Sequence, residues 1–350
     1  MPKSIRVVGS GLIGTSIALA LKSQGVACQM VDIDFSAADL ASDLVGGVEI
    51  IDPDVVVLAL PSSRIALVIE QEYALNPNSI FMDVGSVKTE VIQEIERSSL
   101  PLSQFVPTHP MAGREIGGAH SARADLFVAR SWVLTPTSEC DPQALAVVSH
   151  MIESMGASPV TLSAQEHDRA VAAISHLPQI ASSLLARSLR STPSNWLDLA
   201  GAGLRDTTRI AGSDPSLWSE IIFANRAPIE VLVRALHKDL SDFIEHLNDK
   251  ESISAFIDGG RVGRSQIPGK HGGKPREYSY LPIVIEDKPG QLAAIFDECA
   301  QIEVNVEDLA IEHSPGQLSA LITLALSAND AELLSQHLST IGWNVHPILK

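Results

Sequence analysis

Cysteine is scarce in this chain, and long hydrophobic runs are absent. Its 350 residues include three scattered cysteines, Cys28, Cys140 and Cys299, which form no CxxC or Cys/His cluster. This pattern excludes a disulfide framework and a structural zinc site. No apolar stretch approaches the ~20 residues of a membrane span, and no secretory leader precedes the first strand-like run. We therefore expect a cytoplasmic protein without a metal site.

Basic residues are also few relative to acidic ones. The chain has 25 Lys and Arg against 42 Asp and Glu, which gives a net charge of −17. Nucleic acids and anionic membranes bind basic surfaces, so neither is an expected partner. An anionic small molecule would need specific arginines, lysines or helix N-termini to overcome the acidic background. The length is sufficient for two or three domains.

Strand-like and helical stretches alternate through the first 162 residues. Short apolar runs predict strands at residues 5–8, 28–31, 55–59, 80–84, 105–108 and 132–135, with helices such as 13–23, 64–73 and 88–97 between them. Nearly continuous apolar strands in a βαβ order are typical of a parallel sheet covered by helices on both faces. The prediction for residues 1–162 is therefore an α/β Rossmann domain.

Helical patterns replace strand patterns from residue 163 onwards. Long amphipathic stretches at 167–190 and 217–247 predict an all-α helical domain over residues 163–257. This domain is expected to bind substrate and to form a homodimer, because so much apolar helix surface suits a core shared with a second copy. Residues 258–277 are rich in Gly, Lys and Arg and are predicted to be a linker. Residues 278–350 then follow a βαββαβ pattern, which is a ferredoxin-like order.

A glycine fingerprint lies between the first predicted strand and helix. Residues 9–14, Gly-Ser-Gly-Leu-Ile-Gly, fit GxGxxG. In this context the first glycine permits a tight turn, the second lets the backbone approach a pyrophosphate, and the third lets helix and strand pack closely. The helix N-terminus then offers free N–H groups to the phosphates. The predicted cofactor-binding residues of this loop are Gly9, Gly11, Leu12, Ile13 and Gly14.

Polar side chains follow the second, third and fourth predicted strands. A carboxylate at Asp32 accepts hydrogen bonds from the adenosine ribose and repels a 2′-phosphate, so the expected cofactor is NAD rather than NADP. Asp34 is a less favoured candidate for the same role. Ser62 and Ser86 lie at the sheet edge where open α/β sheets bind ligands, so either can contact cofactor or substrate. The alternative is that these serines cap helices.

A histidine and two arginines are candidates for the chemistry. Pro110 and Gly113 break the fifth predicted strand, which places His109 at the sheet edge near the expected nicotinamide. Its imidazole suits proton transfer near neutral pH. Arg205 and Arg209 follow in a glycine-containing segment, and a guanidinium matches a carboxylate bidentately. Arg209 is the favoured receptor, whereas Arg205 better suits a surface ion pair.

These segments together resemble those of the prephenate/arogenate dehydrogenases, over roughly residues 4–250. The resemblance is carried by the fingerprint and by DVGSVK at 83–88, HPMAG at 109–113, SHLP at 175–178, DTTRIA at 206–211, SDP at 213–215 and Trp218. Residues 285–292, IEDKPGQL, resemble the first turn of an ACT domain, a regulatory module that often binds amino acids. Tyrosine is the first expectation for the effector, with phenylalanine or another amino acid as the alternatives.

The resemblance implies an NAD-dependent enzyme that converts prephenate to 4-hydroxyphenylpyruvate in tyrosine biosynthesis. Hydride leaves the carbinol carbon for the nicotinamide, the ring carboxylate leaves as CO₂, and aromatisation drives the reaction. By the same resemblance His109 takes up the hydroxyl proton, Ser86 orients the hydroxyl and the nicotinamide, and Arg209 holds a substrate carboxylate. His176 and Asp168 correspond to polar pocket residues with an orienting role at most.

Two positions depart from the family pattern. Gln179 stands where many prephenate-specific relatives carry a second histidine, and Arg114 stands where others have a smaller polar residue. Both are expected near the substrate side chain, which leaves open the choice between prephenate and arogenate. The positive charge of Arg114 favours prephenate over the ammonium of arogenate. The predicted substrate-binding residues are Arg209, His176, Arg114, Gln179 and Asp168.

Two other functions use similar parts. A non-catalytic regulator that binds NAD and an amino acid would lack the base or the arginine, and this chain has both His109 and Arg209. A β-hydroxyacid dehydrogenase uses a lysine from its helical domain, where this chain has only Lys238 and Lys250 in polar surroundings. Both functions are therefore less favoured than the dehydrogenase of the tyrosine pathway.

Overall fold

A seven-stranded sheet with helices between its strands forms the first part of the computed structural model. The structure describes residues 1–97, 101–113, 117–267, 278–313 and 319–349. The strands of this sheet are β1 (Ser4–Val8), β2 (Ala27–Val31), β3 (Val55–Leu58), β4 (Ile80–Asp83), β5 (Phe105–Pro110), β6 (Ser131–Leu134) and β7 (Ser158–Thr161). The helices are α1 (Leu12–Lys22), α2 (Phe35–Val45), α3 (Ser62–Leu75), α4 (Thr89–Glu96) and α5 (Pro142–Ser154).

The strand order β2-β1-β3-β4-β5-β6-β7 confirms the predicted Rossmann arrangement. All four residues of β3 are buried, and alternate side chains of a strand point to opposite faces. Val55 and Val57 accordingly pack in one apolar cluster with α1, α2 and α5. Val56 and Leu58 pack in a second cluster with α3 and α4. Helices therefore cover both faces, which is why the strands read as continuous apolar runs.

The prediction of an all-parallel sheet is wrong at one pair. Strand β6 runs antiparallel to β5, and β5 extends through His109 to Pro110 rather than ending at Thr108. His109 pairs with Val133 of β6, so the histidine belongs to the strand itself. A parallel return needs a long crossover, usually a helix. Between β5 and β6 the described residues contain only a 3-10 turn, Ala119–Ser121.

A run of helices follows the sheet: α6 (Ala164–Val171), α7 (Leu177–Ser188), α8 (Ser194–Leu197), α9 (Ala202–Thr208), α10 (Pro215–Ala224) and α11 (Arg226–Glu245). A capping box starts α6, with the Ser163 hydroxyl accepting from the backbone N–H of Glu166 and the Glu166 carboxylate accepting from that of Ser163. The helix predicted at 167–190 is interrupted by a π-helical turn, Ala172–His176. No helix among the described residues is long and apolar enough to cross a bilayer.

The chain divides into two compact units, Met1–Asp239 and Leu240–Lys350. The second contains α12 (Lys250–Ser265), β8 (Ser279–Glu286), α13 (Gln291–Gln301), β9 (Asp308–His313), β10 (Ser319–Leu326), α14 (Ala328–Thr340) and β11 (Asn344–Val345). Strands β8 to β11 form an antiparallel sheet in the order β11-β8-β10-β9. The predicted βαββαβ order is therefore present, with a buried apolar cluster of its own.

The first part of the predicted linker is helical. Helix α12 runs to Ser265, while residues 268–277 lie outside the described residues. Its start is capped by the Asp249 carboxylate, and Phe256 packs on Phe243 with ring centroids 4.5 Å apart. Glycines in a helix are each unfavourable by about 1 kcal/mol. The cap and the apolar packing oppose this destabilisation by glycine. Neither contribution is evident from the amino-acid composition.

Candidate active site

The glycine loop between β1 and α1 needs glycine at two of its three positions. Gly9 has φ +109°, and a Cβ there would lie 2.2 Å from the Ala59 carbonyl oxygen. A Cβ on Gly14 would lie 2.1 Å from the Gly9 carbonyl oxygen. Gly11 has open space instead, and α1 starts directly after it. The open backbone at a helix N-terminus can hold a pyrophosphate.

Asp32 lies at the end of β2 beside this loop. Its carboxylate accepts hydrogen bonds from the backbone N–H of Ser10 at 2.7 Å and of Asp34 at 3.0 Å. The Asp34 carboxylate instead caps α2 by accepting from the N–H of Ser36 at 2.9 Å. The structure thus gives Asp34 a capping role and leaves Asp32 at the loop.

Two cavities meet at His109 and Ser86. The glycine-loop cavity, about 560 Å³, is lined by residues 11–14, Ser62, Ser86 and His109, among others. The Arg209 cavity, about 890 Å³, is lined by Ser86, His109, His176, Gln179 and Arg209, among others. The shared wall brings the predicted base into contact with both spaces.

Neither predicted serine is a helix cap. The residue before α3 is Pro61 and the residue before α4 is Lys88, so the alternative that Ser62 and Ser86 cap these helices is wrong. Ser62 lines the glycine-loop cavity, and Ser86 lines both cavities. Ligand contact by these two serines stays a prediction.

His109 is linked to a second histidine that the sequence did not single out. The Nδ1 atom of His109 lies 2.8 Å from Nε2 of His167, and Nδ1 of His167 lies 2.9 Å from the Asp168 carboxylate. Asp168 also accepts the backbone N–H groups of Lys88 at 2.9 Å and Thr89 at 2.8 Å. His167 is fully buried and Asp168 nearly so. The sequence places His167 in the polar segment Glu-His-Asp-Arg, which reads as an exposed helix start.

A buried ion pair supports the strand that carries His109. The Lys88 ammonium donates to the Asp83 carboxylate and to the Thr108 carbonyl oxygen, the latter at 2.7 Å. Asp83 also accepts the backbone N–H groups of Gly85 and Thr108. Both charged side chains have no exposed surface. Burial lowers the pKa of Lys88, and the Asp83 carboxylate opposes that shift.

The surroundings of His109 disfavour its charged form. Burial lowers the pKa of His109 well below its usual value, and repulsion from His167, Lys88 and His176 adds to this effect. The Asp168 carboxylate opposes the shift. Burial alone would raise the pKa of Asp168, but the hydrogen bonds from His167, Thr89 and the backbone of Lys88 outweigh it and lower that pKa. At neutral pH the site therefore holds a neutral imidazole and an ionised carboxylate.

His176 is fixed by an asparagine that sequence reasoning also missed. The Asn225 amide donates to the backbone carbonyl of Asp168 at 2.8 Å and contacts Nδ1 of His176 at 3.1 Å. The edge of Trp218 completes the contact, with ring centroids 6.0 Å apart. Burial lowers the pKa of His176 to about 4, with the Asp168 carboxylate opposing this shift. His176 is thus a neutral wall of the Arg209 cavity.

The predicted substrate-side residues come together in part. The Gln179 amide donates to the Ile210 carbonyl oxygen at 2.9 Å, which ties α7 to the turn that carries Arg209. Both Gln179 and Arg209 line the Arg209 cavity, whereas Arg205 lines neither cavity. Asp168 lines neither cavity and contacts His167 instead. Arg114 lies outside the described residues.

Two family models match most of residues 1–256. Residues 17–161 match the nucleotide-binding domain of prephenate dehydrogenase, and residues 163–256 match its dimerization domain. A probable prephenate dehydrogenase, NovF of Streptomyces niveus, is 31% identical, over 96% of this chain and 98% of the relative. The chain belongs to the prephenate dehydrogenase family. The resemblance inferred from the sequence motifs is thereby confirmed.

Solved structures of this family share the fold. A prephenate dehydrogenase of Aquifex aeolicus, in complex with hydroxyphenyl propionate and NAD⁺, is 26% identical with a TM-score of 0.69 and covers 76% of this chain and 98% of its own. An arogenate dehydrogenase of Synechocystis is 28% identical with a TM-score of 0.64 and covers 75% of this chain and 99% of its own. The alignments thus include members of the family with either substrate in their names.

The position of Asp32 predicts the cofactor preference. We expect kcat/KM to be far higher with NAD than with NADP, because the carboxylate repels a 2′-phosphate. Asp32→Asn removes the charge but retains an acceptor for the Ser10 N–H, so discrimination against NADP should fall about tenfold or more, equivalent to about 1.4 kcal/mol. Asp34→Asn is the matched control and should change discrimination less than about threefold. Equal use of both cofactors by the wild type would contradict the assignment.

Proposed function

We propose that this chain is an NAD-dependent prephenate dehydrogenase, which oxidatively decarboxylates prephenate to 4-hydroxyphenylpyruvate for tyrosine synthesis. The observation that carries the proposal is the position of His109, a neutral base on the shared wall of two cavities. One cavity begins at a dinucleotide loop, and the other contains an arginine suited to a carboxylate. A hydride donor and its acceptor would therefore meet at this base.

The cofactor side of the site fits NAD. The open space at Gly11 accommodates a pyrophosphate, and Asp32 accommodates ribose hydroxyls. Ser62 and Ser86 then face the nicotinamide half of the glycine-loop cavity. NAD, when bound, supplies the hydride acceptor.

The charge of the Arg209 cavity favours prephenate over arogenate. Its described lining contains an arginine, Arg209, and neither an aspartate nor a glutamate. Prephenate carries two carboxylates and a keto group, whereas arogenate carries an ammonium that would need an acidic or acceptor partner. Arginine with neutral walls from His176 and Gln179 suits the keto acid.

The residues perform three tasks during the reaction. Arg209 holds a substrate carboxylate, and Ser86 orients the ring hydroxyl. His109 accepts the hydroxyl proton as hydride leaves the same carbon, because its imidazole is neutral at physiological pH. The apolar side chains of Ile174, Leu217 and Ile221 line the same cavity and would contact the ring. Loss of CO₂ then completes the aromatic ring.

Arogenate dehydrogenase is the second candidate. The Synechocystis arogenate dehydrogenase shares the fold, and Gln179 replaces the second histidine expected of prephenate-specific relatives. The Gln179 carbonyl oxygen could accept from an ammonium, since its amide nitrogen is held by Ile210. The two substrates must therefore be compared directly.

The proposed function predicts faster use of prephenate than of arogenate. We expect kcat/KM at least tenfold higher with prephenate, because an unpaired ammonium in a cavity lined by Arg209 is unfavourable by more than about 1.4 kcal/mol. The measurement is NADH formation with each substrate in parallel, with the product identified by mass. Faster use of arogenate would establish the second candidate, and turnover of neither would defeat both.

Arg209→Ala tests which arginine anchors the substrate. Loss of a hydrogen bond to a charged group, about 1.5–3 kcal/mol, should raise KM for prephenate roughly 10- to 100-fold. Arg205→Ala is the matched control, because Arg205 lies in the neighbouring helix but lines neither cavity. Equal effects of the two substitutions would exclude Arg209 as the specific anchor.

His109→Asn tests the base. The substitution should lower kcat about 10²- to 10⁴-fold, because asparagine cannot accept the proton. The Kd for NADH, measured by fluorescence, should change less than about threefold, since the glycine loop and Asp32 are untouched. A kcat within threefold of the wild type would assign proton transfer to another group, with His176 the next candidate.

Residues 163–256 also support a homodimer. The matching family model is described as a dimerization domain, and exposed apolar side chains recur along these helices, among them Leu184, Trp196, Phe223 and Val231. Such surface suits a core shared with a second copy. The cytoplasm is the proposed compartment, in keeping with the few, scattered cysteines of the sequence.

Residues 278–350 make up an ACT-like regulatory domain in this proposal. The strand order β11-β8-β10-β9 with α13 and α14 supports it. A left-handed Gly290, with φ +91°, opens α13 in the segment that resembles an ACT ligand turn. An amino-acid effector, tyrosine first and phenylalanine second, would bind there and favour one state of the enzyme over another.

Tyrosine is expected to bind the full-length protein and to alter its rate. A chain truncated after Ile267 keeps α12 whole and should retain catalysis but lose both responses, because it lacks the proposed effector site. Calorimetric titration and NADH formation measure the two responses, with phenylalanine titrated in parallel. No binding to the full-length chain, or equal responses from both chains, would leave the domain without a sensor role.

A further inference from the structure

We infer that His167, supported by the Asp168 carboxylate, holds His109 in the tautomer that carries its proton on Nδ1 and leaves Nε2 free for the substrate. His167 is thus a positioning residue for the base. The inference rests on the proposed function for the identity of the substrate, but the tautomer itself is a property of the protein alone.

The donors and acceptors around Asp168 determine the direction of the hydrogen bonds that connect His109, His167 and Asp168. The backbone N–H groups of Lys88 and Thr89 can only donate, and both point to the carboxylate. An ionised carboxylate can only accept, so the third contact, at 2.9 Å, must come from a proton on Nδ1 of His167. The Asp168 carboxylate therefore selects the tautomer of His167.

The same reasoning applies to the hydrogen bond between His167 and His109. A neutral His167 protonated on Nδ1 presents a lone pair at Nε2. The His109 Nδ1 atom lies 2.8 Å away, a distance that requires one proton between the two nitrogens. His109 must supply it, which leaves its Nε2 atom unprotonated. The two ring planes are inclined by 77° with centroids 5.1 Å apart, so the rings are not stacked face to face.

A second proton on His167, at Nε2, would reverse this assignment. The charged and titratable groups that face His109 are His167, Lys88, His176 and Asp168. Among them, Lys88 is a buried cation paired with Asp83, and the Asp168 carboxylate accepts from two backbone donors as well as facing His167. The state of His109 itself separates the two arrangements, because only a His167 with an unprotonated Nε2 leaves Nε2 of His109 unprotonated.

The proton balance of the reaction requires no exchange of protons with solvent. The substrate O–H bond breaks and its proton moves to Nε2 of His109, while the electron pair of the C–H bond leaves with hydride for the nicotinamide. When the bond to the carboxylate breaks, its electron pair enters the ring and the phenolate oxygen takes the proton back. No proton is released overall, so the positive charge on His109 is temporary. His167 and Asp168 stabilise it from behind.

The first experiment reads the tautomer in the wild-type protein. Full-length protein labelled with ¹⁵N-histidine is examined by long-range proton–nitrogen spectra at neutral pH, and His109 is assigned by comparison with His109→Asn. We expect a protonated Nδ1 and an unprotonated Nε2. A proton on Nε2, or a mixture of both tautomers, would overturn the inference. This measurement needs neither substrate nor an altered His167.

The second experiment removes His167. In His167→Gln we expect kcat with prephenate to fall about 10- to 100-fold, as for other residues that orient a functional histidine, with KM for prephenate and NAD within about threefold. The His109 spectrum should change to a mixture of tautomers. His150→Gln is the matched control, since His150 is an exposed histidine paired with Glu153. Unchanged kcat, an unchanged tautomer, or a loss confined to KM would contradict the positioning role.

The two proposals fail separately. If the wild type oxidises neither prephenate nor arogenate, the proposed function is wrong, yet the wild-type tautomer still decides the inference about His167. If the enzyme turns over prephenate but His109 carries its proton on Nε2, the function stands and the positioning role is lost.

Discussion

The buried ion pair between Lys88 and Asp83 is the constraint on which the site depends. Neither side chain has exposed surface, and the removal of one partner from such a pair destabilises proteins by about 3–5 kcal/mol. Asp83 ends β4, and its carboxylate and main chain hold Thr108 of β5, whose hydroxyl in turn accepts from the Trp132 indole on β6. His109 is the next residue. The backbone N–H of Lys88 also binds Asp168 on α6, so one lysine joins the strand ends to the first helix after the sheet.

The local charges at the site explain how a chain of net charge −17 can act on an anion. Long-range repulsion is screened within about 10 Å at ordinary ionic strength, so local charges dominate within a cavity. Arg209 lies on the wall of one cavity, and the carboxylates of Asp83 and Asp168 are both occupied by donors behind that wall. Among the residues that the structure describes, the Arg209 cavity is therefore lined by neutral imidazole and amide groups together with a guanidinium.

The sequence predicted the parts of the site that depend on local patterns. The glycine loop, the end of β2 at Asp32 and the strand that carries His109 have periodicities or turn residues that fix them locally, as does the βαββαβ tail outside the site. His167 and Asn225 could not be found this way, because their contacts arise only when α6 packs near β5 and when Asn225, which follows α10, packs on α6. The reversal of β6 and the helix through Ser265 were missed for a similar reason. Strand direction and helix extension in those segments are determined by crossover length, capping and packing rather than by composition.

The division of the site between strands and helices has an evolutionary consequence. Residues that line the glycine-loop cavity lie mainly at strand ends, whereas Gln179 and Arg209 lie on α7 and on the turn after α9. The two groups meet at His109 and Ser86. Mutations in the helices can therefore alter the choice of ring acid while the dinucleotide loop and the base are inherited unchanged. Enzymes of such a lineage can acquire new substrates while they retain the same nicotinamide cofactor.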